Sequence, residues 1–250
     1  MELKIIILTI LIIFLYICWS YINFENFLSV QDNEYINKII TWNVITLGYP
    51  ERLKNIRTQE NLLNIKINNF NATNGKNINQ DNLINTNILD INFKFDSIKR
   101  SNEIGCYQSH LNLLKSLKKS QTKYHVILED DFKFIPNLDI LDIINKIIAQ
   151  TSYYSFDIIF IGWTNDNNLS YTYFSDNLYE FNPNTHFYGA YAYIVNSTSL
   201  DKIINLITWI DMPIDLKYKQ LYLEKKLDIY WTNPVIVEPN FSLPSTILSI

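Results

Sequence analysis

Glycine is scarce in this chain, with 5 residues in 250, and there are only 2 cysteines and 3 histidines. Cys18 lies in an apolar N-terminal run and Cys106 in a central polar motif, so no disulfide framework exists and Cys106 reads as a small buried hydrophobe. No run of basic residues occurs, and the net charge is -4 with a pI near 5.4. That excludes the electrostatic footprint of a nucleic-acid binder. Charged residues make up only 18% against 48% hydrophobic, which excludes a disordered chain and allows one sizeable core. No internal repeat and no second domain is visible.

What fills the gap is isoleucine and asparagine, 41 and 32 residues respectively. Both have AT-rich codons, so genome composition accounts for the skew. It makes Ile-rich segments look more strand-like and Asn-rich segments more turn-like than they are. It also empties the four N-x-S/T sequons, at Asn71, Asn168, Asn196 and Asn240, of meaning. About four are expected by chance from this composition.

From Ile5 to Cys18 the chain is apolar apart from Thr9, and Trp19, Tyr21 and Ile22 lengthen the run towards the lower limit of a spanning helix. Lys4 precedes it, and Glu25, Asp32 and Glu34 follow. The asymmetry points to a cytoplasmic N-terminus with the body on the far side. No small-residue cleavage site follows, so residues 1–22 are expected to be an uncleaved, single-pass type II membrane anchor. A cleaved signal peptide and a buried helix are the alternatives. Residues 23–40 read as a stem and 41–250 as the body.

Within the body, apolar runs alternate with segments of helical periodicity. Strands are expected at 41–47, 66–72, 124–128, 157–162, 189–195 and in two short pieces over 228–237. Helices are expected at 51–64, 102–119, 136–148, 197–207 and 213–224. Residues 76–100 read as loop with small elements, and 163–186 as a long aromatic and Asn-rich excursion. The alternation predicts an α/β fold with a mostly parallel sheet and helices on both faces.

The chemistry concentrates where the strand Tyr124–Leu128 runs into Glu129, Asp130 and Asp131. Acids at the C-terminal end of a strand in an α/β fold sit where ligands bind. Three adjacent carboxylates repel unless a cation joins them, and a divalent metal is the usual partner. Such a metal can hold a diphosphate, which points towards nucleotide-sugar chemistry. The bland alternative is a solvated strand end that caps the next helix.

Several motifs stand in one order around these acids: Ile45-Thr46-Leu47-Gly48-Tyr49-Pro50-Glu51-Arg52, Phe70-Asn71-Ala72-Thr73-Asn74-Gly75, Asn102-Glu103-Ile104-Gly105-Cys106-Tyr107-Gln108-Ser109-His110, Leu128-Glu129-Asp130-Asp131, Gly189 to Val195, and Pro213-Ile214-Asp215. In this order they resemble glycosyltransferase family 25, which includes lipooligosaccharide and collagen hydroxylysine galactosyltransferases. The resemblance spans roughly residues 41–247. It departs where Gly48 and Tyr49 replace a basic residue and where Asn74 replaces an acid.

The resemblance implies a GT-A-like fold and an inverting transfer from a nucleotide sugar, typically UDP-galactose, to a hydroxyl on a glycan or a collagen-like protein. Asp131, with Asp130 or Glu129, is expected to hold Mn²⁺ or Mg²⁺ on the donor diphosphate. Arg52, Glu103, His110 and Asp130 are the candidate donor contacts. For Arg52 the alternative is an exposed first-turn pair with Glu51, and for His110 a hydrogen-bonded core histidine. Gly105 is expected to let its helix approach the sheet, and Ser109 to cap or pack. Asp215 is the candidate general base, against a simple N-terminal cap, with His186 and Asp211 in reserve. Tyr188, Tyr191 and Trp163 are either sugar-stacking or core aromatics. A competing function is an inactive member that serves as a binding scaffold, and a phosphohydrolase would need more acids near the first strand than Glu51 provides.

Overall fold

The structure, a computed structural model, describes residues 38–93, 98–151, 154–165, 171–175, 177–181 and 187–244. The chain divides into two units, Met1–Lys38 and Ile39–Ile250. All described residues except Lys38 belong to the second, so the expected anchor and nearly all of the stem lie outside the description. Among the described residues no helix is long and apolar enough to cross a membrane.

The body opens with β1 (Ile40–Thr46), α1 (Pro50–Leu63) and β2 (Ile67–Asn71). Pro50 at the first helical position fixes the φ that a helix start needs, and Asn64 ends α1 in the left-handed conformation with φ 50°. Residues 75–93 contain the short helix α2 (Gln80–Asn85) between single turns of 3₁₀ helix. Then come α3 (Ile98–Leu117), β3 (Tyr124–Glu129), β4 (Phe132–Phe134) and α4 (Ile140–Gln150). α4 starts four residues later than expected because Asp139 caps it, accepting the Asp142 N–H at 3.0 Å. β5 (Ile158–Asn165), the hairpin strands β6 (Tyr171–Ser175) and β7 (Leu178–Phe181), β8 (Phe187–Asn196), α5 (Leu200–Leu206), α6 (Ile214–Leu223), β9 (Ile229–Thr232) and β10 (Val237–Pro239) complete it.

Eight strands form one sheet in the order β2-β1-β3-β8-β5-β9-β7-β6, and β4 pairs with β10 in a separate ribbon. β2, β1 and β3 are parallel, as are β5 and β9. β8 runs antiparallel to both β3 and β5, and β7 antiparallel to β9 and β6. The sheet is therefore mixed rather than mostly parallel. The 163–186 excursion accounts for this: it extends β5, adds the edge hairpin, and brings the chain back beside β5 without a crossover helix.

β1 and β3 are nearly continuous buried runs because both faces of the sheet are covered. Ile45, Ile127, Phe160 and Tyr193 join the core formed with α3, α5 and α6. Trp42 meets Phe134 edge to face at 5.9 Å on the side where α1 packs against β4. The ends of β1 and β3 thus emerge between α1 and α3, and the acidic turn sits there.

Candidate active site

β3 ends at Glu129, the chain turns at Asp130 and Asp131, and β4 begins at Phe132. Consecutive side chains at a strand end diverge. Glu129 turns to α3, where its Oε1 lies 3.2 Å from His110 Nε2 and accepts the Cys106 thiol at 3.6 Å. Asp130 and Asp131 turn to α1, where Arg52 Nη1 lies 3.3 Å from Asp130 Oδ1 and 3.2 Å from Asp131 Oδ2.

Arg52 is neither an exposed surface residue nor open to solvent: it is 1% exposed. Its other terminal nitrogen donates to the Pro244 carbonyl. Asn55, one helical turn on, donates to the carbonyls of Asp130 at 3.1 Å and Phe132 at 2.8 Å. Asn240 holds the turn from the far side through the Asp131 carbonyl and Asn55 Oδ1. Nothing in the order of motifs announced Asn240, and the spacing of Arg52 and Asn55 on one helix face was the only hint of Asn55.

Burial raises the pKa of Asp130, opposed by a hydrogen bond from Thr46 and by Arg52. Burial, then the charge of Glu129, pushes Asp131 up to about 6, with Arg52 opposing. With all three acids ionised, two negative charges remain unmatched by Arg52.

The second wall of the site is the contact between two motifs. A Cβ added to Gly105 would lie 2.8 Å from Thr73 O and from Gly75 N, and one added to Gly75 would collide with the Ser101 carbonyl. Both glycines are required because the 73–75 loop lies directly on α3. Gly105 therefore serves that loop, not the sheet as expected. Ser109 clasps the two together, donating to Gly105 O at 2.7 Å and accepting the Thr73 N–H at 2.8 Å. The result is an open cleft of about 80 Å³ lined by Thr46, Asn74, Asn102, Cys106, His110, Glu129 and Asp130 among others.

The sequence matches the family model described as glycosyltransferase family 25, LPS biosynthesis protein, over residues 40–217. The chain belongs to glycosyltransferase family 25. The match covers every motif lining the cleft and ends just past Asp215. No curated protein matches it. Among solved structures it is similar to a glycosyltransferase involved in the glycosylation of the major capsid of PBCV-1, at 9% identity and TM-score 0.42, covering 80% of this chain and 93% of that one. It is also similar to apo UDP-glucose pyrophosphorylase, at 8% identity and TM-score 0.42, covering 77% and 90%.

The remaining candidates of this family 25 glycosyltransferase divide clearly. Asp215 sits in the first turn of α6, where its two oxygens accept the Leu216 N–H at 2.9 Å and the Gly189 N–H at 3.0 Å. Gly189 has φ +90°, so the contact depends on a residue that tolerates the left-handed region. The charge of Asp215 reaches Cys106 and helps raise its thiol pKa, behind burial and Glu129. Glu103 is outside the cleft lining and pairs with Arg100 at 2.8 Å. Asp211 is held by Lys217 at 2.6 Å, and His186 lies outside the described residues. Trp163 and Tyr191 are buried and Tyr188 is 42% exposed. Trp163 is a core residue, donating to Thr232 O and standing on edge to Phe181. Cys106 packs against the core as expected of a small hydrophobe, but it is only half-buried and its thiol donates to Glu129.

Proposed function

We propose that this glycosyltransferase moves a hexose, galactose from UDP-galactose, onto a hydroxyl of a glycan or collagen-like protein with inversion at the anomeric carbon. The observation that carries the reading is the acidic turn, whose charge exceeds what Arg52 neutralises, with Glu129 and Asp130 lining a cleft between two family motifs. Hard oxygen donors with residual negative charge fit Mg²⁺ or Mn²⁺. Asp131, with Asp130 or Glu129, would hold the ion. When bound it offsets charge on the departing UDP.

The chain's own residues account for the rest. Arg52 and Asn55 fix the turn, so the carboxylates are in place before the donor arrives. The 73–75 loop, pinned by Gly105 and Ser109, forms the wall facing the nucleotide sugar, and His110 orients Glu129. Asp215 takes the proton of the acceptor hydroxyl as that oxygen bonds to the anomeric carbon. The bond to the diphosphate oxygen breaks and UDP leaves with its electron pair. The backbone N–H groups of Gly189 and Leu216 orient the Asp215 carboxylate. The apolar run at 5–22 would tether the enzyme as a type II membrane protein.

The test is UDP release by the full chain from a panel of UDP-sugars, with and without Mn²⁺. Metal-dependent release from one donor, lost in Asp131→Asn, is expected. Asp215→Asn should lower transfer about 10²–10⁴-fold while UDP still binds. A folded protein that neither binds UDP nor releases it from any donor would overturn the transferase mechanism in favour of a scaffold.

A further inference from the structure

Cys106 and His110 are four residues apart on α3 and so share one face of the helix. β3 delivers Glu129 to the same point. His110 Nε2 and Glu129 Oε1 are 3.2 Å apart, and Cys106 Sγ and Glu129 Oε1 3.6 Å. The three ligand atoms all lie within 4.8 Å of one another, the one such group of His, Cys, Asp and Glu side chains among the described residues. A tetrahedral ion with Zn–N and Zn–S bonds of about 2.0–2.3 Å has ligand-to-ligand edges of about 3.3–3.8 Å. Two of the three metal-free edges are already close to that, and the third, between Cys106 and His110, is at most 4.8 Å.

Two further features suit a metal. His110 Nδ1 is 2.8 Å from the Tyr193 hydroxyl, which continues to the Tyr218 hydroxyl at 3.4 Å. Tyr193 can donate or accept, so it can take an Nδ1–H while Nε2 offers its lone pair. This is the supporting contact that metal-bound histidines have. All three residues also line the open cleft, which leaves room for water as a fourth ligand.

We infer that Cys106, His110 and Glu129 form a site for a thiophilic divalent cation of the Zn²⁺ class, separate from the hard-oxygen turn at Asp130 and Asp131. The thiolate and imidazole select against Mg²⁺ and Mn²⁺, which prefer oxygen. The inference does not depend on the transferase reading. If that reading holds, a Zn²⁺ ion here takes Glu129 away from the donor side and inhibits the enzyme.

The experiment is Co²⁺ titration of the anaerobically reduced full chain, followed by optical absorption. One equivalent should give a thiolate-to-cobalt charge-transfer band with tetrahedral ligand-field bands, and Zn²⁺ should bleach both. Cys18→Ser and Asp131→Asn should keep the bands and Cys106→Ser should lose the charge-transfer band. Tyr193→Phe should weaken Co²⁺ binding about 10- to 100-fold through the lost support of His110. Circular dichroism of each variant establishes that it is folded. No thiolate band in the folded protein, or a band that follows Cys18 or Asp131 instead of Cys106, would overturn the assignment.

Discussion

Arg52 Nη1 stands 3.2 Å from Asp131 Oδ2 in a place where the arginine side chain is 1% exposed. The guanidinium is thus the internal counter-ion of the acidic turn. Removing one member of such a buried group leaves uncompensated charge and costs about 3–5 kcal/mol. Arg52→Ala is expected to lose stability on that scale in urea unfolding, with Mn²⁺ restoring part of it. Loss of less than about 1 kcal/mol would show that the turn does not need its cation.

Asp131, pushed up to about 6, predicts how metal and pH interact. The folded protein holds this proton more tightly than the unfolded chain. The metal-free protein therefore loses stability as pH rises from about 4 through about 6. A divalent cation removes that penalty. Mn²⁺ should raise the melting temperature more at about pH 7.5 than at about pH 5, and Asp131→Asn should remove the difference. Equal Mn²⁺ shifts at both pH values would count against metal at this turn.

Gly105 tests the clasp between motifs. A methyl group there would press on Thr73 and Gly75, an overpacking that costs about 1–3 kcal/mol. Gly105→Ala should lower the urea midpoint and, by displacing the 73–75 loop, weaken UDP binding measured by calorimetry. Unfolding shifted with UDP affinity intact would separate the loop from the donor.

His125 lies away from the cleft and provides a control. It is fully buried on β3, bonded to Thr41 Oγ1 at 2.7 Å, and burial pushes its pKa down to about 4. The unfolded chain takes up this proton near pH 6.5 and the folded one does not, so stability falls as pH drops from about 6.5 to about 4, on the order of 3 kcal/mol. His125→Asn, which can still meet Thr41, should flatten that part of the stability curve. An unchanged slope would assign acid sensitivity to other groups.

The sequence by itself determined the local elements and the motifs. Pro50, the continuous apolar runs of β1 and β3, and the periodicity of α4 act over a few residues, and such signals are legible one-dimensionally. The acidic run at 129–131 was legible too, because its three carboxylates are contiguous in the chain.

Tertiary structure alone decided what each motif faces. The antiparallel course of β8 follows from where the hairpin β6–β7 lands, which depends on pairing with β9 distant in sequence. Arg52 reads as a surface residue in a first helical turn. It becomes an internal ion because the acidic turn and the Pro244 carbonyl, both distant in sequence, meet its guanidinium. Cys106 acquires polar company, and His110 its Tyr193 support, through contacts spanning 23 and 83 residues. Gly105 meets Gly75 because Ser109 ties the loop to the helix. Periodicity records which face of an element is buried, and only packing supplies the neighbour that makes a side chain an acid, a ligand or a strut.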